Sequence, residues 1–254
     1  VKSSCCSSKT FVILRHWSVS SMGNCSARKL LGPMVVAVLS LTILLSSATG
    51  MVMGLTYGEF SHWLIKDGTE VQITGFSGSG ADVVIPYTID GKSVTSIKYI
   101  AFYGKPWLNS VIIPEGVTSL GNFAFQGCSS LASIGMPDSI VTIGIGAFSG
   151  CTSLTSVVIL ANVVSINVTS FSGCTSLSAI ILPDGLQQIG SSTVQDCAGL
   201  TSLVIPESVI RINTSAFRAY ENLISVTLPD GLTPLGYSAF YGCVNLASTI
   251  TQLT

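Results

Sequence analysis

Charge is scarce in this chain. Only 9% of its 254 residues are Asp, Glu, Lys or Arg, against a hydrophobic share of 48% and a mean hydropathy of +0.64. Histidine is rarer still, present only as His16 and His62. Zinc sites and nucleophile–base pairs lean on histidine, and no nucleophile motif surrounds His62, so both chemistries lack their residues. No glycine-rich loop opens a helix to cradle phosphate, and no two carboxylates stand where a fold would converge them. The chain therefore reads as neither an enzyme nor a cofactor or metal carrier. Beyond residue 55, six basic residues face twelve acidic ones, which leaves no electrostatic drive toward nucleic acid or anionic lipid. Serine, threonine and glycine keep so uncharged a chain in water, through hydroxyls and backbone.

Acidic residues are missing altogether from the first stretch: Lys2, Lys9, Arg15, Arg28 and Lys29 all precede Glu59, the first carboxylate. Positions 30–55 carry no charge. A basic start, an apolar run over 34–45 and the small residues Ser46, Ser47, Ala48, Thr49 and Gly50 follow the order of a secretory leader, with cleavage expected after Ala48. Met22 stands at a natural start for such a leader, and residues 1–21 read as upstream sequence. The apolar run continues to Leu55, so an uncleaved membrane anchor is the alternative. With the leader removed, no membrane insertion is expected.

What the chain does have is a period. Pro114, Pro137, Pro183, Pro206 and Pro229 lie on one 23-residue lattice, with Leu160 filling the single missing place. Phe102, Phe125, Phe148, Phe171, Phe217 and Phe240 lie on a second, with Val194 as the exception. Leu108, Leu131, Leu154, Leu177, Leu200, Leu223 and Leu246 form an unbroken third. A fixed period of this length marks a solenoid whose units bury their apolar faces only against neighbours. Within one unit, Leu108, Val111 and Ile113 point inward from a short strand that Pro114 closes. Glu115-Gly116 turns the chain, Val117 and Leu120 supply a second inward pair, and Ala124-Phe125 forms a tight corner, read as a turn or one turn of helix. Strands stacked about 4.7–4.9 Å apart make seven rungs a parallel ladder on the order of 30 Å long.

A solenoid end needs a cap. Residues 49–82 read as a β cap, with a hairpin signal at Asp67-Gly68, and 83–254 as the solenoid. The first rung is stretched around Asp90-Gly91. Trp107, whose lattice equivalents are all small or polar, is expected to pack under the cap, with ligand stacking as the alternative. The missing ring at Val194 predicts a loose rung that Val194→Phe would tighten.

The string L-x-S-V-x-I-P-x-x-V-x-x-I-G-x-x-A-F-x-G-C, followed over residues 83–250, resembles the BspA-like class of leucine-rich repeats. That resemblance implies a β-rich leucine-rich-repeat solenoid of about seven 23-residue rungs, with a parallel β ladder and an N-terminal β-hairpin cap. It also implies a secreted or cell-surface protein-binding module, adhesin-like, whose partner is a host extracellular protein. A structural repeat protein of the cell envelope without specific ligand is the alternative. Departures fall at Leu160, Asn167, Val194, Asp196 and Tyr220.

Three constellations read as structural. Cys128, Cys151, Cys174, Cys197 and Cys243 share one lattice position without nearby histidine, and read as small buried apolar residues. Glu115, Asp138, Asp184, Glu207 and Asp230 each follow the lattice proline and read as turn residues. Asn167-Val168-Thr169 and Asn213-Thr214-Ser215 are glycosylation sequons, relevant only in a eukaryotic source. One constellation does not. The outward strand positions are Ile112, Gly135, Val158, Ile181, Val204, Thr227 and Ile250, five of them β-branched aliphatics where a solvated strand ordinarily carries polar residues. Strand propensity alone favours Ile and Val. Rimmed by serines, the row also has the make-up of an interaction surface, and Ile112, Val158, Ile181, Val204, Thr227 and Ile250 are the candidate partner-binding residues.

Overall fold

A computed structural model of the protein describes residues 57–252, apart from 233 and 247–249. The expected leader lies outside the described residues. A 3-10 turn, Tyr57–Glu59, leads into the cap strands β1 (Phe60–Ile65) and β2 (Glu70–Phe76), which pair antiparallel with a bulge between Ser61 and His62. The hairpin turn falls on Lys66, Asp67 and Gly68, whose φ angles of 48°, 55° and 82° are all left-handed. Asp and Gly are the residues that tolerate this region best. Strand β3 (Asp82–Val84) opens the solenoid. The stretched first rung then folds a second small hairpin, β4 (Thr88–Ile89) against β5 (Lys92–Ile97), over Asp90-Gly91 with φ of 52° and 73°. Two successive positive φ values match the right-handed twist of the flanking strands, and Asp-Gly supplies them.

From here five rungs contribute two strands each where the sequence pattern predicts one. The expected strands are β6 (Ser110–Ile112), β8 (Ser133–Gly135), β10 (Ser156–Val158), β12 (Ala179–Ile181), β14 (Ser202–Val204), β16 (Ser225–Leu228) and β17 (Ile250–Gln252). Between them lie two-residue strands: β7 (Ser119–Leu120), β9 (Thr142–Ile143), β11 (Ser165–Ile166), β13 (Gln188–Ile189) and β15 (Arg211–Ile212). The short strands form the longer sheet, in the order β1-β2-β5-β7-β9-β11-β13-β15, with β4 attached to β5. Their length is what hides them, because two residues carry no visible alternation. The cap is therefore part of this sheet: β2 runs parallel to β5, pairing Val71 with Val94 and Ile73 with Ile97.

The expected ladder is parallel but falls into three sheets, β3-β6-β8, β10-β12 and β14-β16-β17. Inside each sheet the residue after a strand donates to the next rung, as Ile113 N–H does to Gly135 O at 2.9 Å and Ile159 N–H to Ile181 O at 2.9 Å. The matching bonds from Met136 to Val158 and from Leu182 to Val204 are not made. At these two junctions Ile134, Met136, Ile180 and Leu182 are only half-buried, whereas Val111, Ile113, Val157 and Ile159 are fully covered.

Corners hold the third side. They are turns, not helix. Ile100, Phe123, Gly146, Thr169, Ser192, Ser215 and Ser238 occupy one lattice position, all with φ between 51° and 58°. Such a conformation strains a β-branched or aromatic residue. A repeated bond holds it: Phe123 N–H donates to Ile145 O at 2.7 Å, Thr169 N–H to Ser191 O at 3.0 Å and Ser192 N–H to Thr214 O at 3.0 Å. Four residues further on, Gly104, Gly127, Gly150, Gly173 and Gly242 are left-handed too, and Asp196 and Ala219 adopt the same conformation without glycine's freedom.

The core is a set of columns. Rings of Phe60, Phe76, Phe102, Phe125, Phe148 and Phe171 follow one another at 4.8–5.5 Å. Val194 interrupts the column, which resumes with Phe217 and Phe240 at 5.1 Å. Val194 is nonetheless as buried as the rings it replaces. Tyr220, standing where the other rungs carry cysteine, is fully buried there and borders Cys197 of the preceding rung. The equivalent cysteines reach back across one rung, Cys197 Sγ lying 3.1 Å from Phe171 O and Cys174 Sγ 3.2 Å from Phe148 O. The tyrosine ring stands edge-on to that of Phe217 at 6.2 Å, and its buried hydroxyl lies against the Cys197 thiol.

Candidate interaction surface

Parallel pairing sets residues of equal register on one face of a sheet, so the outward row can be followed strand by strand. Ile112 stands between Val84 and Gly135, Val158 beside Ile181, and Val204 beside Thr227. Exposure rises along it. Ile112 is half-buried, then Val158 is 44% exposed, Ile181 58% and Val204 62%, while Thr227 is again half-buried. The three exposed aliphatics straddle the junction between β12 and β14, so the row is continuous in lattice position and interrupted in hydrogen bonding.

Ile250 does not join it. β17 pairs Ile250 with Val226, and Thr251 with Thr227. One residue more than the 23-residue period separates Val226 from Ile250, and in a strand a one-residue slip exchanges faces. Thr251, not Ile250, holds the register position of the outward row.

Serines 133, 156 and 202 and Ala179 flank the row, all exposed. Along its far edge the acidic residues Glu115, Asp138, Asp184, Glu207 and Asp230 are exposed as well, and none is ion-paired. At the other edge Asp82 accepts hydrogen bonds from Ser110 Oγ at 2.5 Å and Asn109 Nδ2 at 3.1 Å. The surface is thus aliphatic in the middle, hydroxylic beside it and acidic on one border. Among the described residues no three of His, Cys, Asp and Glu are placed to hold a metal ion.

A second exposed aliphatic row was hidden by the unrecognised strands. Val141, Val164 and Ile210 share one lattice position immediately before β9, β11 and β15, and all three are exposed. Their 23-residue recurrence was visible; their outward orientation needed the second sheet. Trp107 also departs from expectation. It does not pack under the cap but is 45% exposed, with Lys105 Nζ 5.3 Å from its ring centre.

The cysteine column is structural. Cys128, Cys151, Cys174 and Cys197 are free and buried, and Cys243 is half-buried at the last rung. Each thiol donates to the carbonyl of a plug residue one rung back, Cys128 to Phe102 O at 3.1 Å and Cys243 to Phe217 O at 3.2 Å. Burial pushes the Cys128 thiol up to about 11 and raises Cys151 further. The two sequon asparagines are committed as well: Asn167 Nδ2 donates to Ile143 O at 2.7 Å and Asn213 Nδ2 to Ile189 O at 3.0 Å. These amides anchor one rung to the previous one at positions where Gly144 and Gly190 sit against neighbouring backbone.

Comparison with known proteins agrees with this architecture. The model of the BspA type leucine rich repeat region matches residues 84–166 and 146–253, in six copies. A leucine-rich repeat protein of T. pallidum is 34% identical, with a TM-score of 0.73 over 76% of this chain and 90% of that one. A leucine-rich cell surface protein of Faecalibacterium prausnitzii A2-165 is 30% identical, with a TM-score of 0.71 over 79% of this chain and 54% of that one. A leucine-rich repeat protein of Bacteroides ovatus is 26% identical, with a TM-score of 0.52 over 74% and 62% of the two chains. Among curated proteins, none matches. No helix among the described residues is long and apolar enough to cross a membrane. The match across the repeats, the identity to solved relatives and the two-ladder solenoid agree: the chain belongs to the BspA-type leucine-rich repeat family.

Proposed function

We propose that this protein is a secreted or cell-surface, non-catalytic binding module that recognises a protein partner through the outward face of its interrupted ladder. The observation that carries this reading is the exposure of Val158, Ile181 and Val204 in consecutive rungs. Apolar side chains in line on a solvated face, with small hydroxylic neighbours and an acidic border, form the kind of patch that soluble proteins keep for contact. Ile112 and Thr227, half-buried on either side, extend the contact row. The chain is organised for that purpose as a leader over 1–48, a cap over 49–82 and a ligand-bearing solenoid from 83 onward. One structural relative is a cell surface protein, which supports display outside the cell. The partner class we propose is a host extracellular protein.

The test uses the exported chain and a panel of purified host matrix and plasma proteins. The wild type should retain a specific member, and the variant Val158→Thr/Ile181→Thr/Val204→Thr should fold with unchanged circular dichroism yet lose that retention. Unchanged retention by the folded variant removes this face from the reading. Retention of nothing by the wild type favours a structural role in the envelope. Amino-terminal sequencing should find the exported protein beginning near Thr49; an intact leader points instead to a membrane-anchored form.

A further inference from the structure

We propose that the first corner of the solenoid, together with the tryptophan of the cap beside it, docks an acidic peptide segment of a protein partner. The corner joins β5 to β6 and reads Lys98-Tyr99-Ile100-Ala101-Phe102-Tyr103-Gly104-Lys105-Pro106-Trp107. Ala101 and Phe102 serve the core, and the rest faces outward. Later corners carry Asn122, Gln126 and Ser130, or Ser191, Gln195 and Gly199, where this one carries Tyr99, Tyr103 and Trp107. Aromatic exposure on this scale is confined to the ends of the solenoid. No exposed Trp, Tyr or Phe occurs between Trp107 and Tyr237.

Two lysines stand among these rings. Lys98 Nζ lies 3.2 Å from the ring centre of Trp63, itself 56% exposed on β1, and Lys105 Nζ lies 5.3 Å from that of Trp107. Both lysines are half-buried. Neither has a carboxylate partner: the one salt bridge among the described residues joins Lys66 to Glu70. The carboxylates of the adjoining strands are engaged elsewhere, Glu70 by Lys66 and Thr95, and Asp82 by Ser110 and Asn109. A ring face attracts an ammonium but does not neutralise it, and partial burial strips away some of its water. Each lysine is therefore held in place with an unanswered charge, and a carboxylate is its natural complement.

The rings say what should carry that carboxylate. Tryptophan and tyrosine offer large, rigid contact area at small entropic cost, and they concentrate in the decisive parts of protein interfaces. Two lysines are too few to hold a polyanion, and the twelve acidic against six basic residues beyond position 55 repel an extended one. A short segment with two or more carboxylates and apolar residues between them fits both features. This site shares no residue with the aliphatic row, so its success or failure is separate from that of the proposed function.

The experiment titrates the full chain with a labelled peptide of about twelve alternating Glu and Leu residues, followed by anisotropy, with a Gln/Leu peptide as control. Trp63 and Trp107 are two of only three tryptophans, so their emission should shift on binding. Binding should weaken strongly from about 50 mM to about 500 mM salt as screening tightens. Lys98→Gln/Lys105→Gln should lose roughly tenfold or more in affinity while keeping the wild-type melting curve. Lys92→Gln, altering a lysine outside the corner, should bind as wild type, as should the Val158→Thr/Ile181→Thr/Val204→Thr variant. No binding of the Glu/Leu peptide, equal binding of the Gln/Leu peptide, or undiminished binding by Lys98→Gln/Lys105→Gln overturns the proposal. Tighter binding of heparin or phosphatidylserine vesicles through the same two lysines also overturns it.

Discussion

The ring of Phe76, at the end of the second cap strand, lies 5.5 Å from the ring of Phe102 in the first rung, at an interplanar angle of 29°. Phe60 extends the contact by a further 5.0 Å. The cap thus continues the plug column and shields its amino-terminal end. In the last described corner Phe240, Cys243 and Leu246 are only partly buried. Truncating Phe76 should cost about 3–5 kcal/mol, as for a buried plug, because the first rung loses its cover. Proteolysis of Phe76→Ala should begin within the cap. Cleavage that begins in the middle rungs would contradict this account of the cap.

Phe148 sits mid-column, 5.4 Å from the ring of Phe125 and 5.3 Å from that of Phe171. Phe148→Ala should lose about 3–5 kcal/mol in denaturant melts, through lost burial and an uncollapsed cavity. A loss below about 1 kcal/mol means that the column is not the core the rings depict.

Val194 is buried where the other rungs carry phenylalanine, and Tyr220 of the next rung is buried where the others carry cysteine. Val194→Phe should therefore destabilise by about 1–3 kcal/mol through overpacking, contrary to what the missing lattice phenylalanine implies. Adding Tyr220→Cys restores the ordinary pair of residues and should recover most of that loss. Equal effects of Val194→Phe with and without Tyr220→Cys would show that the two sites are uncoupled.

Ala219 holds φ of 59° at a position where five other rungs carry glycine. Ala219→Gly should stabilise by about 0.5–1 kcal/mol, since a left-handed alanine costs roughly 1–2 kcal/mol and glycine returns part of that as chain entropy. Ala216→Gly, at a buried position of ordinary backbone, should instead destabilise. Thermal melts of the two variants moving in the same direction would contradict the assignment.

The buried thiols of Cys128, Cys151, Cys174 and Cys197 should be silent in the native state. Cys128 is raised by burial from 9.0 to about 11, so the folded protein favours the neutral thiol. A folded value above the unfolded one means the stabilisation is present below about pH 9 and is lost progressively toward pH 11. An aromatic disulfide reagent at pH 8 should label half-buried Cys243 first and the other four only on unfolding. Prompt labelling of Cys151 or Cys174 in folded protein would show that the column is accessible.

Much of this was legible in the sequence because a solenoid repeats its physics. Leu108, Val111, Ile113 and Phe125 recur every 23 residues since each rung meets the same neighbours, and those positions proved to be core. The outward placement of Val158, Ile181 and Val204 followed from strand alternation alone. Other features were decided between rungs, where a one-dimensional pattern is silent. A two-residue strand such as Ser119–Leu120 shows no period, so the longer sheet, and with it the exposed row of Val141, Val164 and Ile210, emerged only from pairing. Ile250 keeps its lattice spacing yet pairs with Val226, because register is a relation between two strands and one additional residue shifts it. Tyr220 borders Cys197 across a rung boundary, and Lys98 meets Trp63 across the cap. Repetition determined which residues are inside; packing between successive rungs decided which of the others stand together.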